Sequence, residues 1–127
     1  MVKNFSTRAG GSPVSASEAV LKGLAEDGGL FFPDHIPALT KSLKEFADMS
    51  YQEVAYEVMQ PFLYYYTEEE LKNCIKNAYD DKFDTEAIAP LAYADGVYYL
   101  ELFHGATIAF KDMALSILPH LMITAAK

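Results

Sequence analysis

Three short stretches constrain this chain more than anything else in it: Ser15-Ala16-Ser17-Glu18, Ser50-Tyr51-Gln52-Glu53 and Thr67-Glu68-Glu69-Glu70. In each, a hydroxyl residue stands three positions before a glutamate. At that spacing the hydroxyl accepts from the glutamate's amide while the carboxylate reaches back to the hydroxyl residue's own amide, so two orphan donors at a helix start are satisfied together. Three such starts predict three helices. Behind the first, Val20, Leu21, Leu24 and Ala25 form an apolar stripe at helical spacing, with Gly28-Gly29 as the stop. Behind the second, Val54, Val58 and Phe62 line one face with Ala55 and Met59 beside them, until Pro61 ends or bends the helix. Behind the third, Leu71, Ile75, Ala78 and Tyr79 repeat the pattern, and Cys74 in the same stripe reads as a small core residue.

Between these helices, Leu30-Phe31-Phe32-Pro33 is a short extended piece, and Pro37 to Phe46 is a loop running into a short helix. Tyr64-Tyr65-Tyr66 reads as packing and rim contacts in preference to a stacking surface. After Asp84 the pattern changes. Leu91 to Ala94, Asp95-Gly96 and Val97 to Phe103 read as strand, two-residue turn and strand, because Asp-Gly supplies the positive backbone angles of a tight hairpin. A loop follows, then one helix from Asp112 to about Ile123 with Pro119 straining its second half. The closing Thr124-Ala125-Ala126-Lys127 carries no Gly, Asn or turn signal, and the chain reads as cut, not finished.

With 127 residues and 51% apolar side chains, the chain is long and apolar enough to bury a core. A formal charge of −8, spread over several segments, argues against nucleic acid and anionic membranes as partners. The single cysteine rules out an intramolecular disulfide and fits a reducing compartment. The opening has no apolar run of signal-peptide length. The longest apolar stretch, Met113 to Ala126, is interrupted by Ser116, Pro119, His120 and Thr124, so the protein reads as cytoplasmic and soluble. His35 and His120 are far apart with no supporting carboxylate spacing, and no metal site is predicted.

One residue resists the bland account. Lys111 lies among Ala109, Phe110, Met113, Ala114 and Leu115, an expensive setting for an ammonium group unless something pairs with it or consumes it. Placed beside a helix N-terminus, it also feels the positive end of the peptide dipoles. Both influences predict a lowered amine pKa, and a neutral amine adds to carbonyl groups to give a Schiff base. Gly105 would let a flat molecule approach the backbone. The competing reading has Lys111 leaning into solvent and pairing with Asp112 or the acidic surface. Residue type and spacing leave both open. They also leave open His104 as orienting group or structural hydrogen bond, Thr107 as cofactor contact or loop bond, Asp112 as a first-turn carboxylate, and Arg8, the only arginine, as anion ligand or surface residue.

The stretch Glu101-Leu102-Phe103-His104-Gly105-Ala106-Thr107-Ile108-Ala109-Phe110-Lys111-Asp112 resembles the signature around the pyridoxal phosphate lysine of the threonine synthase family. Ser6-Thr7-Arg8 and the run from Ser15 to Pro33 resemble that family's opening. The resemblance implies an α/β chain: a mostly helical N-terminal segment over residues 1–90, then, over residues 91–127, the first strand, loop, lysine and helix of a fold-type II cofactor domain, truncated. It implies Lys111 as catalytic residue and cofactor anchor, with Phe110 and Thr107 also at the cofactor. A phosphate-binding loop is expected beyond residue 127, Gly10-Gly11-Ser12 being a loop without a preceding strand. The implied reaction is a lyase's: O-phospho-L-homoserine and water become L-threonine and phosphate, with the rest of the chain as partner and these residues alone inactive. Ala106 stands where the family has proline, and Ile108 where it has leucine. Two other functions fit parts of the sequence, a non-catalytic assembly module or a related enzyme acting by elimination or replacement on another amino acid.

Overall fold

Four helices, not three, open on a hydroxyl and glutamate pair. The computed structural model describes residues 1–127 throughout. Helices α1 (Ala16–Lys22), α3 (Tyr51–Met59) and α4 (Glu68–Ala78) start at the predicted boxes, and α2 (Leu43–Ala47) starts at a fourth, Ser42 with Glu45. In all four the serine or threonine accepts from the glutamate amide and the glutamate side chain accepts from the cap amide. α1 is shorter than its stripe, since Gly23 caps it at φ 70°. Leu24 therefore lies past the helix and both Leu21 and Leu24 are exposed, while Ala16 and Val20 face the core. In α3 the buried position is Ala55, with Tyr51, Tyr56 and Met59 packed beside it, and Val58 faces solvent. The predicted face of α4 is the buried one: Leu71, Cys74, Ile75 and Ala78, with Tyr79 after them, are all 3% exposed or less.

The predicted helix from Asp112 to Ile123 is two helices, α5 (Asp112–Leu115) and α6 (Leu118–Ala125). Pro119 sits in the first turn of α6, where a missing amide hydrogen has no helical acceptor to lose, so it starts a helix instead of straining one. α6 returns to the leading helices. Its Leu121 and the preceding Ile117 complete a core of Ala16, Ala55, Leu63, Tyr66, Leu71, Ile75 and Tyr79 with their neighbours. Each buried Leu or Ile there contributes about 1.5–3 kcal/mol of transfer free energy. Two polar contacts fix the docking: the Tyr66 hydroxyl donates to the Leu121 carbonyl at 3.0 Å, and Cys74 Sγ lies 3.4 Å from Thr124 Oγ1. Tyr66 is thus a core residue, and of the tyrosine triplet Tyr65 is the exposed one.

The strands form two separate antiparallel pairs. β1 (Asn4–Ser6) pairs with β2 (Phe31–Pro33) in the register Phe5 to Phe32. Only β2 was predicted as extended. Asp27 ties this region together: its carboxylate accepts from the Ser6 hydroxyl at 2.7 Å and from the amides of Gly10 and Gly29, each at 2.9 Å. β3 (Leu91–Ala94) and β4 (Val97–Leu100) make the predicted hairpin, with Asp95 at φ 51° and Gly96 at φ 80° in its turn. β4 ends at Leu100, three residues short of its predicted end, and every one of its residues is exposed. No helix is long and apolar enough to cross a membrane.

Candidate active site

Lys111 ends a loop that begins at His104, a few residues after the hairpin, and three sets of bonds hold that loop. Inside it, the buried Asp112 carboxylate accepts from the Thr107 amide at 2.7 Å and from the Thr107 hydroxyl at 2.6 Å. These two donors hold the Asp112 carboxyl below the usual carboxylate range. Gly105 packs against the same residue: a Cβ added to it would lie 2.5 Å from Asp112 Cβ, so this glycine leaves room for the aspartate of its own loop. The Ile108 amide closes a turn onto the Gly105 carbonyl at 3.0 Å. Ile108 itself sits at φ 60°, a strained conformation for a β-branched residue, three positions from the lysine.

The entrance to the loop is held by His104. Its Nδ1 lies 2.5 Å from Asp84 Oδ1 and its Nε2 lies 2.8 Å from Glu101 Oε2, so both ring nitrogens face carboxylates. The Glu101 bond first, and the Asp84 bond next, raise the imidazole pKa above its ordinary value and favour a doubly protonated ring. The Asp84 amide donates to the His104 carbonyl at 3.1 Å, adding a main-chain tie. His104 is therefore a structural clamp in this arrangement. The exit is held by Tyr79, whose hydroxyl donates to the Met113 carbonyl at 2.7 Å. Burial pushes the Tyr79 phenol pKa up, so it stays a donor.

Lys111 itself is exposed, with Nζ 5.8 Å from the centre of the Phe110 ring. Two sequence expectations change here. The apolar neighbours do not enclose the amine, because Ala109, Phe110, Ala114 and Leu115 are all exposed alongside it. Nor does Asp112 pair with Lys111, since its carboxylate is turned onto Thr107. What results is an unpaired, reachable amine on an immobilised loop, an arrangement able to attack a carbonyl carbon. Of the three residues expected at a cofactor, Phe110 lies beside the Lys111 amine, while Thr107 faces Asp112. The Thr107 hydroxyl proton is engaged by Asp112 and its lone pairs stay available.

The other candidates lie elsewhere. Arg8 Nη1 donates to the Asp27 carbonyl at 3.0 Å and braces that turn. The Gly10 amide is already engaged by the Asp27 carboxylate. The sequence marks Asp84 only as a boundary and Tyr79 only as a core position in the α4 stripe, not as partners of the lysine loop. Their contacts with the loop span 20 and 34 residues, and no local pattern encodes such pairs.

A family described as "Threonine synthase N terminus" matches residues 3–79. Among curated proteins, the threonine synthase of Schizosaccharomyces pombe is 42% identical over 123 residues, covering 94% of this chain and 24% of its own length. That of Pseudomonas aeruginosa is 36% identical over 124 residues, covering 95% and 26%. The chain thus spans about a quarter of the length of the curated relatives it matches. Among solved structures, the pyridoxal phosphate-bound threonine synthase of Brucella melitensis superposes with a TM-score of 0.87 at 34% identity, covering 98% of this chain and 27% of that one.

Proposed function

Because the chain belongs to the threonine synthase family, we propose that Lys111 is the residue that binds pyridoxal phosphate and that the protein acts as a lyase, converting O-phospho-L-homoserine and water into L-threonine and phosphate. The observation that carries this reading is the unpaired Lys111 amine at the end of a loop that Asp112 and Thr107 hold in shape. The residues fit the group in the one respect this stretch bears on: an amine free of carboxylate partners and open to solvent reaches a carbonyl carbon without first breaking an ion pair. The Brucella melitensis relative, with its bound cofactor, supports the same choice of group.

When bound, the cofactor supplies the electron sink for charge developing on the substrate carbons. The chain's own part is positional and acid–base. Lys111 Nζ would hold the cofactor and would take and return protons at the substrate carbons beside it. Phe110 sets the apolar wall next to Nζ, and Thr107, anchored by Asp112, keeps the loop from swinging. In this reading residues 1–90 form the leading helical domain and residues 91–127 open the cofactor domain of a cytoplasmic enzyme. In the same reading residues 1–127 supply the lysine, its loop and the helices behind it, and release no phosphate by themselves.

The test uses protein expressed from the complete reading frame, beside its Lys111→Ala variant. With pyridoxal phosphate added, the parent is expected to develop a visible absorption band that the variant lacks, and to release phosphate from O-phospho-L-homoserine while forming threonine. No band in either protein, or an equal band in both, would remove Lys111 from the chemistry.

A further inference from the structure

Between Tyr79 and Asp84 the chain leaves α4 and makes a tight turn, and this turn touches the Lys111 loop at both of its ends. Tyr79, 1% exposed, donates its hydroxyl to the Met113 carbonyl, two residues beyond the lysine. Asp84 takes His104 twice, by its carboxylate on Nδ1 and by its amide on the carbonyl, seven residues before the lysine. The two grips are five residues apart on one element and nine apart on the other, so together they fix the loop's position and its orientation.

The turn is itself rigid. The Gln52 side-chain amide of α3 donates to the Tyr79 carbonyl at 2.5 Å, and the Tyr51 ring meets the Tyr79 ring edge-on at 4.9 Å. Phe83, 5% exposed, lies with its ring centre 5.9 Å from that of Tyr79. Within the turn, Asp80 Oδ1 accepts from the Lys82 amide at 3.0 Å, and the Phe83 amide donates to the Asp80 carbonyl at 3.1 Å. Anything fastened to Tyr79 and Asp84 is therefore fastened to the helical core.

We propose that the Tyr79–Asp84 turn is the platform that positions the Lys111 loop, with Tyr79 and Asp84 as positioning residues for the lysine. Its role in catalysis rests on the reading of Lys111 as the cofactor lysine, while its role in holding the loop does not. The leading helical segment is by this account part of the machinery that aims the amine, although none of its residues touches the reacting atoms.

Tyr79→Phe removes one hydroxyl from a packed site and keeps the ring, and Asp84→Asn keeps an acceptor but removes the charge. In protein from the complete reading frame, hydrogen exchange is compared between the peptide from Gly105 to Met113 and the α3 peptide from Tyr51 to Met59. Each variant is expected to exchange about fivefold faster in the loop, the effect of one net hydrogen bond, with α3 unchanged. The second readout is the pH titration of the bound cofactor's visible band. Its midpoint is expected to move in Tyr79→Phe while cofactor stoichiometry stays at the parent value. Equal acceleration in both peptides marks a general loss of stability and overturns the platform, and so does an unchanged loop. A loosened loop with an unmoved midpoint overturns the link to catalysis. A parent that takes up no cofactor while the variants still loosen the loop refutes the reading of Lys111 and leaves the platform standing.

Discussion

The core around α4 and the hairpin of β3 and β4 are built from similarly apolar sequence and end in opposite states. Leu71, Ile75, Ala78 and Tyr79 are at most 2% exposed, because α3 and α6 pack on the face that carries them and α1 packs in turn on α6. Leu91, Tyr93, Val97, Tyr98, Tyr99 and Leu100 are each more than half exposed, although they include the stronger strand formers. Two strands cannot cover both faces of themselves, and a lone hairpin is marginal in water. Apolarity gives a segment the tendency to bury; only neighbours at the right distance convert it into stability.

The sharpest way to break the comparison is to truncate one residue on each side of it. Leu71→Ala is expected to cost about 2–5 kcal/mol in chemical denaturation, and Tyr99→Ala to stay within about 0.5 kcal/mol. A Tyr99 variant as damaging as the Leu71 variant would show that the hairpin is part of the cooperative unit. Next in size is Gly105→Ala, which drives a methyl into Asp112 and is expected to cost about 1–3 kcal/mol, with faster exchange of the Thr107 amide as its local sign. Unaltered stability and exchange would mean that the loop yields without cost.

Thr67→Ala, at the start of α4, is expected to lower global stability by about 1 kcal/mol. Ser42→Ala makes the same chemical change on α2, which buries no residue, and should alter only local exchange there. Equal global effects would contradict this ranking. The smallest effect is the pH dependence of the hairpin's tie to the core. His104 has a folded-state pKa above its unfolded value, so its contribution is complete below the ordinary histidine value of about 6.5 and disappears as pH rises through the raised value. Protection of amides 91–100, corrected for intrinsic exchange, should therefore fall with rising pH over that window, and His104→Gln should flatten the profile. Protection that increased across the window would reverse the sign and the assignment.

What the sequence made legible follows the same division. Caps and turns act over two to four residues, so the starts of α1, α3 and α4 and the Asp95-Gly96 turn could be read directly. The face of α4 was also readable, because its apolar positions keep helical spacing for the helix's whole length. Ser42 with Glu45 obeys the same rule, but the helix behind it, Leu43–Ala47, is too short for a repeating apolar stripe to mark it. α1 failed in the other direction: its stripe continues past Gly23, where the helix does not. The surroundings of Lys111 misled because Phe110 and Leu115, neighbours in sequence, stand beside the amine in solvent without covering it. The grip of Asp84 and Tyr79 on the lysine loop carries no local mark, since it depends on residues that arrive 20 or more positions later.

The contact between α1 and α6 sets an order of events during synthesis. Helix α1 finds its packing partner in α6, with residues 16–22 lying against residues 118–125. At about 5–20 residues per second, a ribosome needs on the order of ten seconds to make what separates them. During that interval Ala16, Val20 and the α4 face wait without Ile117 and Leu121, and the nascent chain presents apolar surface to whatever chaperone is near. The segment that carries the lysine is thus also the one whose emergence allows the leading helices to close.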